Sequence, residues 1–467
     1  MRVFKLEIIL PIILATVILL VVAFVFFSNF FLIFYPFLII VVLSVPIFLR
    51  KKTDYFSIWS WILYSAILGV LLRCIYIYFD IPDYEKIDIT FLRGNPKSFL
   101  LPAMLLIFFG LSFLVMGYLS TNKKFKLKGK VFLCTQWSKK RFFICSFLLL
   151  IISILGLTLF INEQGGLFSF ERISSYRGVS DTLSEAAPHA YLRLLVSFSG
   201  INLFLLTAWL IKYKQCRPIA YFLWTMSFIV FIFFNFYVSQ RGAVVFTMVQ
   251  LIALSYYLQN YKLPKIKLLI GLVVGLSIFQ LMSNIRGVKD VENKEIRFSI
   301  AKVIEPAILT TNMIDVSKTA HIIDAIPSKI TYQYGATLTT IFVAWIPREL
   351  WPSKPVTNVD NTIGMKVFSA TFFGTGGVPP GLIAELYWNF WIPGVFIGCF
   401  LIGFLLKLIN QTFLSNIANS NVVIIYVVNF MFIGLSFVGS SFSSVLIGVL
   451  LTFIPNYVIL NIITKRR

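Results

Sequence analysis

The chain has 467 residues, of which 58% are hydrophobic and only 13% are charged, and its mean hydropathy is +0.88. Soluble domains carry about 25% charged residues, so this composition argues against a soluble protein and indicates lipid as the solvent. The formal net charge of +22 is spread over short basic stretches between hydrophobic runs. No soluble basic domain exists to hold a duplex, which argues against a nucleic-acid partner.

Twelve hydrophobic runs approach the length of about 20 residues that a bilayer core requires. They lie at about 6–27, 30–49, 56–79, 98–118, 142–162, 191–211, 219–238, 243–258, 268–284, 382–406, 421–439 and 442–462. The first is too long for a typical signal peptide and lacks a small-residue cleavage site, so we interpret it as a spanning helix. The fold class is therefore an all-α polytopic membrane protein of about 12 transmembrane helices.

Loop charge predicts the orientation of these helices. Alternate loops, beginning with the N-terminus, hold more than half of the lysines and arginines but only Glu7 and Asp54 among the acids. Such a bias marks the cytoplasmic side. We therefore expect both termini in the cytoplasm, with external loops at about 80–97, 163–190, 239–242, 285–381 and Gly439–Ser441.

The external loop at 285–381 is by far the largest, and it lies within a single membrane domain, 1–467. Its segments Ile296–Ile314 and Ile330–Trp345 place apolar residues at helical spacing. Amphipathic segments of this kind usually lie on the membrane surface or pack over the bundle. We expect this loop to cover a functional site that opens to the external face.

Two arginines fall inside predicted helices near their external ends, Arg73 in the third and Arg193 in the sixth. A charge in hydrocarbon is costly, so each should face the bundle and find a partner, or extend its side chain to the interface. Both are candidates for binding an anionic substrate. The alternative is that they only snorkel.

A tight external hairpin, Ser239-Gln240-Arg241-Gly242, joins the seventh and eighth runs. The guanidinium of Arg241 can grip a phosphate through its fork of donors, and Gly242 would let backbone N–H groups approach the same anion. Arg286, followed by Gly287 just past the ninth run, could hold a second phosphate group. The alternative interpretation is that Arg241 and Arg286 are simply arginines at turns in the membrane interface.

The stretch from Trp345 to Pro355, WIPRELWPSKP, is the most unusual in the chain. Its three prolines interrupt helix formation. Trp351 is suited either to the interface or to stacking on a sugar, and Arg348 and Lys354 supply cations. A rigid segment anchored by its aromatic residues is the alternative to a substrate site.

Two groups are candidates for a general base. Glu385 lies where the tenth predicted helix enters the membrane, and a carboxylate there is either a base or the partner of an arginine. His321 lies in the large loop, where a lone histidine is more often structural. Neither the two histidines nor the five cysteines, which form no CxxC pair, predict a metal centre or a disulfide framework.

No phosphate-binding glycine loop and no DxD motif is present, and the cytoplasmic loops are too short for a nucleotide-binding domain. Any reaction must therefore use a substrate that is already displayed in the membrane and that carries its own stored energy. We predict no cofactor.

Three features together resemble the Wzy-type O-antigen or oligosaccharide repeat-unit polymerases. They are Arg241-Gly242 at a short external hairpin, the Ile-Pro-Arg-x-x-Trp-Pro-x-Lys-Pro stretch at 346–355, and the sequence Gly381-Leu-Ile-Ala-Glu-Leu-Tyr-Trp-Asn-Phe390 at the start of a helix. The resemblance lies chiefly between about 235 and 400.

The resemblance implies a bacterial inner-membrane glycosyltransferase with a GT-C-like helical bundle. It would join repeat units carried on undecaprenyl diphosphate at the periplasmic face, without a metal or a nucleotide sugar, and a second protein would regulate chain length. Arg241, Arg348 and either Arg73 or Arg286 would stabilise the departing diphosphate. Glu385 or His321 would accept the proton of the attacking hydroxyl.

Two other functions are compatible with the sequence. An O-antigen ligase would use the same donor but transfer the glycan to a lipid core sugar. A flippase of lipid-linked oligosaccharides would be a transporter, although such proteins usually line a central cavity with polar residues, and the runs that follow Gly242 are nearly free of charge.

Overall fold

The computed structural model describes residues 31–50, 54–79, 97–123, 125, 127, 130–163, 165–166, 190–213, 215–238, 240–262, 313–343, 346, 351, 359–368 and 378–465. The helices of these residues are, in chain order, α1 (Phe31–Phe48), α2 (Ile58–Tyr78), α3 (Lys97–Leu119), α4 (Lys130–Leu133), α5 (Lys139–Glu163), α6 (Ala190–Lys212), α7 (Arg217–Tyr237), α8 (Arg241–Leu258), α9 (Val316–Ala325), α10 (Ala336–Val343), α11 (Val359–Lys366), α12 (Leu382–Leu414), α13 (Ser420–Gly439) and α14 (Phe442–Ile463). These residues form no strand.

The prediction of an all-helical membrane protein is confirmed. Nine of the described helices are long and apolar enough to cross a membrane: α1, α2, α3, α5, α6, α7, α12, α13 and α14. The predicted run at 243–258 forms α8, which is apolar but shorter than these. The runs at 6–27 and 268–284 lie outside the described residues, so the count of twelve stays a prediction.

Helix α12 is longer than predicted, and it is bent. At 33 residues it would extend about 50 Å if straight, well beyond a hydrocarbon core of about 30 Å. Phe390 and Trp391 leave helical geometry, and Pro393 follows them without an N–H to donate. The first two turns, up to Asn389, are therefore a separate segment, and every residue in it is buried.

The most extensive helix contact in the bundle joins α3 to α12, and glycine makes it close. A Cβ added to Gly403 would lie 2.0 Å from the backbone oxygen of Leu114, and one added to Gly117 would lie 1.9 Å from that of Phe400. Lipid tails are as apolar as leucine, so helices in a membrane gain stability from close packing rather than from escaping water. These two glycines let the α3 and α12 backbones touch.

Most basic residues of the described part gather at one end of the bundle, which we call the basic end. Hydrogen bonds join helix ends there: Trp137 Nε1 donates to Asn421 Oδ1 at 2.6 Å, and Lys212 Nζ donates to Ser420 Oγ at 2.7 Å. The opposite end, which we call the loop end, holds the last residues of α2 and α13 and the first residues of α12 and α14. Which side of the membrane each end faces stays a prediction.

The segment that follows residue 312 does not simply lie over the bundle. Helix α9 packs against α3 and α12 and is buried along nearly its whole length, including Ser317, Lys318 and Thr319. Helix α10 buries Thr337 and Thr340 but exposes 80% of Phe342, so its inner face is polar and its outer face apolar. Segment 296–312, predicted to be amphipathic, lies outside the described residues.

The α3–α12 contact can be tested by adding one methyl group. Gly403→Ala would force a Cβ into the backbone of Leu114, and overpacking of this kind costs about 1–3 kcal/mol. Gly448→Ala is the matched control, because nothing lies within 4 Å of a Cβ at that helical glycine. Unfolding of the purified protein in mixed detergent micelles should show a loss of stability for Gly403→Ala but not for Gly448→Ala. Equal stability of the two variants would mean that the helices do not approach so closely.

Candidate functional site

The loop end holds a group of ionisable side chains away from solvent and lipid. It consists of Arg73 on α2, Asp315 and Lys318 at the start of α9, Asp360 on α11 and Glu385 on α12, and we call it the junction site. Arg73, Asp315, Lys318 and Glu385 are each no more than 3% exposed. Buried charges in a membrane protein are costly and usually mark a functional region.

Arg73 forms an ion pair with Asp315, which lies 242 residues away in the sequence. The prediction that this arginine faces the bundle and finds a partner is therefore confirmed. Asp315 also caps α9, since its carboxylate accepts from the backbone N–H groups of Ser317 and Lys318 at 2.9 and 3.2 Å. One carboxylate thus both neutralises a buried cation and satisfies the open end of a helix.

Local features of α2 bring the two chain segments together. Ser65 Oγ accepts from the N–H of Ile314 at 3.3 Å. One turn later, a Cβ on Gly69 would lie 2.1 Å from the oxygen of Ile314, so only glycine allows this approach. Residues Ile67–Leu72 then form a π-helical turn immediately before Arg73. Such turns are frequent at functional sites, where the extra residue changes the direction of the side chains that follow.

The amine of Lys318 lies against the C-terminal end of α13. Its Nζ donates to the oxygen of Gly439 at 3.3 Å and to that of Met313 at 3.4 Å. Carbonyl groups at a helix C-terminus carry partial negative charge, which favours a cation. Burial lowers the pKa of Lys318 to about 8, and the charge of Asp315 opposes that shift. The side chain therefore remains mainly protonated at neutral pH.

Glu385 lies against the N-terminal end of the next helix. Its Oε2 accepts from the backbone N–H of Phe442, the first residue of α14, at 2.6 Å. Its Oε1 accepts from Thr337 Oγ1 at 2.9 Å. A helix N-terminus favours an anion, for the same reason that a C-terminus favours a cation. Within the described residues Glu385 contacts a hydroxyl and a helix end rather than an arginine, and its role as a base stays a prediction.

Asn389 holds the partner of Glu385 in place. Its Nδ2 donates to Thr337 Oγ1 at 2.7 Å and to the backbone oxygen of Glu385 at 2.8 Å, and its Oδ1 accepts from the N–H of Gly335 at 2.9 Å. Thr337 therefore receives one hydrogen bond and donates one, which fixes the direction of its hydroxyl. The arrangement ties α10 to the first turns of α12.

Asp360 is the third carboxylate of the junction site. Burial raises its pKa, whereas a hydrogen bond with the Ser441 side chain and the charge of Lys318 act in the opposite direction. Its Oδ1 is buried without a hydrogen-bond partner among the residues that the structure describes. The turn between α13 and α14 thus contacts Lys318, Asp360 and Glu385 within four residues, Gly439–Phe442.

His321 lies one turn after Lys318 on α9. Its ring meets Phe368 edge-on, with 5.3 Å between ring centroids. Burial lowers its pKa to about 4, although Asp315 and Asp324 oppose the shift, so the imidazole is neutral at pH 7. Its Nε2 is buried, and it has no hydrogen-bond partner within the described ranges.

The structure does not place any of the other predicted site residues in this group, and several of them lie outside the described residues. Arg193 lies on α6, which packs against α5 and α7, and its guanidinium stacks 5.5 Å above the Phe160 ring. Arg241 begins α8, and Gly242 is exposed, since a Cβ added to it would meet only the Phe246 ring, at 3.8 Å. Trp351 is half-buried. Arg286, Arg348 and Lys354 lie outside the described residues, as does the Arg241 side chain.

Sequence reasoning found Arg73, His321 and Glu385 but missed Asp315, Lys318, Thr337, Asp360 and Asn389. One available signal was Asp315 itself, because an aspartate directly before the sequence Val316–Ala325 is typical of a helix N-cap. Among the described residues no cluster of three or more His, Cys, Asp or Glu side chains could hold a metal ion. The junction site can instead hold charge by ion pairing and by helix ends.

Comparison with known proteins gives one match. Residues 8–467 match the family model described as O-antigen polysaccharide polymerase Wzy. Neither a curated protein nor a solved structure matches the chain.

Because Arg73 and Asp315 form an ion pair, we expect substitutions at the two positions to be strongly coupled in their effect on the free energy of unfolding. Arg73→Gln leaves a buried carboxylate without its cation, and losing one partner of a buried pair costs about 3–5 kcal/mol. Asp315→Asn should cost a similar amount although asparagine also caps helices well. The double variant should cost clearly less than the sum when unfolding is followed in mixed micelles. Arg217→Gln, at an exposed position of the basic end, is the control, and strictly additive losses would contradict the pairing.

Proposed function

Since the chain belongs to the O-antigen polysaccharide polymerase Wzy family, we propose that it joins oligosaccharide repeat units carried on undecaprenyl diphosphate at the periplasmic face of the bacterial inner membrane. The product would be O-antigen or a related polysaccharide. The family match carries this proposal, because it extends over nearly the whole chain, through both the apolar helices and the polar segment between them.

The distribution of charge supports an external site. Basic residues gather at the end of the bundle opposite to the junction site, and a bias of this kind marks the cytoplasmic side of membrane proteins. The loop end, where α9 and α10 meet the first turns of α12, would then face the periplasm. A substrate flipped across the membrane on its lipid carrier would reach this end directly.

The proposed reaction transfers a glycan from one carrier to another sugar. A hydroxyl oxygen of the incoming repeat unit attacks C1 of the reducing-end sugar of the growing chain. The C1–O bond to the diphosphate breaks, its electron pair stays on the diphosphate, and the hydroxyl proton passes to a base. The products are the elongated glycan on the incoming carrier and free undecaprenyl diphosphate, so the energy comes from the bond that is broken.

Cations that do not already have a counter-ion are the better candidates for binding the phosphate groups. The guanidinium of Arg73 has Asp315 as its counter-ion, so we assign Arg73 to holding α9 in place. Arg241, at the start of α8, remains the first candidate for the departing diphosphate, together with Arg348, Lys354 and Arg286. Guanidinium groups suit this role because charge develops on the diphosphate oxygen as the bond breaks.

Of the two predicted bases, His321 is the stronger candidate. Its Nε2 is an acceptor with no donor bound to it within the described residues, in the tautomer that carries its proton on Nδ1. Glu385 has a donor on each oxygen. We therefore assign Glu385 to positioning: it would hold α10 and the α14 N-terminus around the site.

Polymerisation can be tested with the purified protein and lipid-linked repeat units in detergent. We expect a ladder of polymers, and Arg241→Ala should abolish it while Arg217→Ala, at the basic end, leaves it intact. Product formed only when a lipid core acceptor is added would identify a ligase. Movement of lipid-linked oligosaccharide across vesicles without a new glycosidic bond would identify a transporter.

The roles of His321 and Glu385 can be separated by rate and stability. Loss of a general base slows a reaction about 10²–10⁴-fold, so His321→Gln should reduce kcat by that factor with normal thermal stability. Thr337→Val should reduce stability and activity together, and Thr337→Ser, which keeps the hydroxyl bound to Glu385, should restore both. Full activity of His321→Gln, with Glu385→Gln inactive but stable, would reverse the two assignments.

A further inference from the structure

The basic end contains two cations that share one aromatic ring. Tyr118, near the end of α3, is buried, with 1% of its surface exposed. Lys407 Nζ on α12 lies 4.7 Å from the centroid of its ring, and the Arg50 Cζ, just after α1, lies 5.9 Å from the same point. Three helices thus bring two positive charges to one place, at the opposite end of the bundle from the junction site.

Arg50 and Tyr118 are fixed by a hydrogen-bond network. Arg50 donates from Nη1 to Ser57 Oγ at 2.6 Å and from Nη2 to Tyr118 Oη at 2.5 Å. Tyr118 Oη also accepts from Asn410 Nδ2 at 2.9 Å, and Asn410 Oδ1 accepts from Tyr426 at 3.2 Å. A guanidinium has five N–H donors, and within the described residues Arg50 uses two of them, which leaves N–H groups for an anion.

Charge at this place is not balanced within the described residues. The carboxylate nearest to the network is Asp54, which accepts from the hydroxyl of Tyr257 at 2.9 and 3.0 Å and from the N–H of Phe56 at 3.1 Å. Neither Arg50 nor Lys407 forms an ion pair with it, since the described residues contain a single ion pair, Arg73–Asp315. One carboxylate therefore faces two cations, and one positive charge is left over.

The two cations lie at the ends of helices that are apolar enough to cross a membrane, α1, α3 and α12. Helices α1 and α12 both pack against α3. Next to the cations along the chain, Phe48 and Leu49 just before Arg50 and Leu119 just after Tyr118 are 78%, 44% and 38% exposed. Clustered cations at the ends of spanning helices lie at the depth of the lipid headgroups, where they attract anionic lipid.

We propose that Arg50 and Lys407 form a binding site for the phosphate group of an anionic glycerophospholipid, seated between α1, α3 and α12. The phosphate oxygens accept from N–H groups of Arg50 and from Lys407 Nζ, and the acyl chains extend along the apolar surfaces of these helices. Charge-assisted hydrogen bonds from arginine to phosphate are strong, and two cations favour a headgroup with net negative charge over a zwitterionic one. Bound lipid would hold the basic ends of the three helices together, independently of the reaction at the loop end.

Native mass spectrometry of the protein in detergent, titrated with phosphatidylglycerol, tests this site. Lys407→Gln is the main variant, because it removes one cation and leaves the Arg50–Tyr118 hydrogen bonds in place. Each cation near a lipid surface contributes about a fivefold change in affinity, so Lys407→Gln should weaken retention of one phosphatidylglycerol molecule by about that factor. Arg50→Gln should do the same. Lys140→Gln, an exposed cation at the same end, is the control and should not.

The proposal fails if Lys140→Gln loses lipid as strongly as Lys407→Gln, since the attraction would then be that of a basic surface in general. It also fails if phosphatidylcholine is retained as well as phosphatidylglycerol. A third arm adds inorganic phosphate alone: if phosphate raises the melting temperature of the wild-type protein as much as phosphatidylglycerol does, the site binds small anions and the lipid assignment is overturned. A melting-temperature rise specific to phosphatidylglycerol, and reduced in Lys407→Gln, supports it.

Discussion

The structure of the loop end depends on one constraint: its charged side chains lie where water does not solvate them. Two carboxylates, an arginine and a lysine lie buried there with a third carboxylate, Asp360, partly buried beside them, and in a medium of low dielectric the buried groups could not remain ionised alone. The chain meets this constraint with two devices. One is the ion pair between Arg73 and Asp315. The other is the pair of helix ends at the α13–α14 turn, of which one receives Lys318 and the other Glu385.

These devices explain why α9 lies inside the bundle although its sequence is polar. Ser317, Lys318 and Thr319 would be costly to bury on a helix that packed against apolar surfaces. Lys318 finds its partner on the α13 terminus, and Thr319 finds one in the oxygen of Asp315 at 2.7 Å. The same reasoning applies to α10, whose Thr337 faces inward onto Glu385 and Asn389 while Phe342 faces outward. Polar inner faces and apolar outer faces are the arrangement expected in lipid.

The helices that span the membrane could be predicted from the sequence, because hydrophobic length is a local property that each run carries by itself. The requirement that Arg73 find a partner could also be predicted, since it follows from the cost of a charge in hydrocarbon. The identity of that partner could not. Asp315 is brought to Arg73 by the absence of a side chain at Gly69 and by a π-helical turn, and neither leaves a periodic signal. The bend of α12 at Phe390 was not predicted, because the apolar pattern continues through it, although Pro393 was an available signal.

The turn between α13 and α14 has a mechanical consequence. Lys318 is bound to Gly439, and Glu385 is bound to Phe442, three residues later. These two side chains come from α9 and α12, yet both are attached to one reverse turn whose own geometry allows little stretching. A tilt of the α13–α14 hairpin would therefore carry α9 and the first turns of α12 with it as one unit. Segments of the loop end that come from different parts of the chain are thereby coupled in motion.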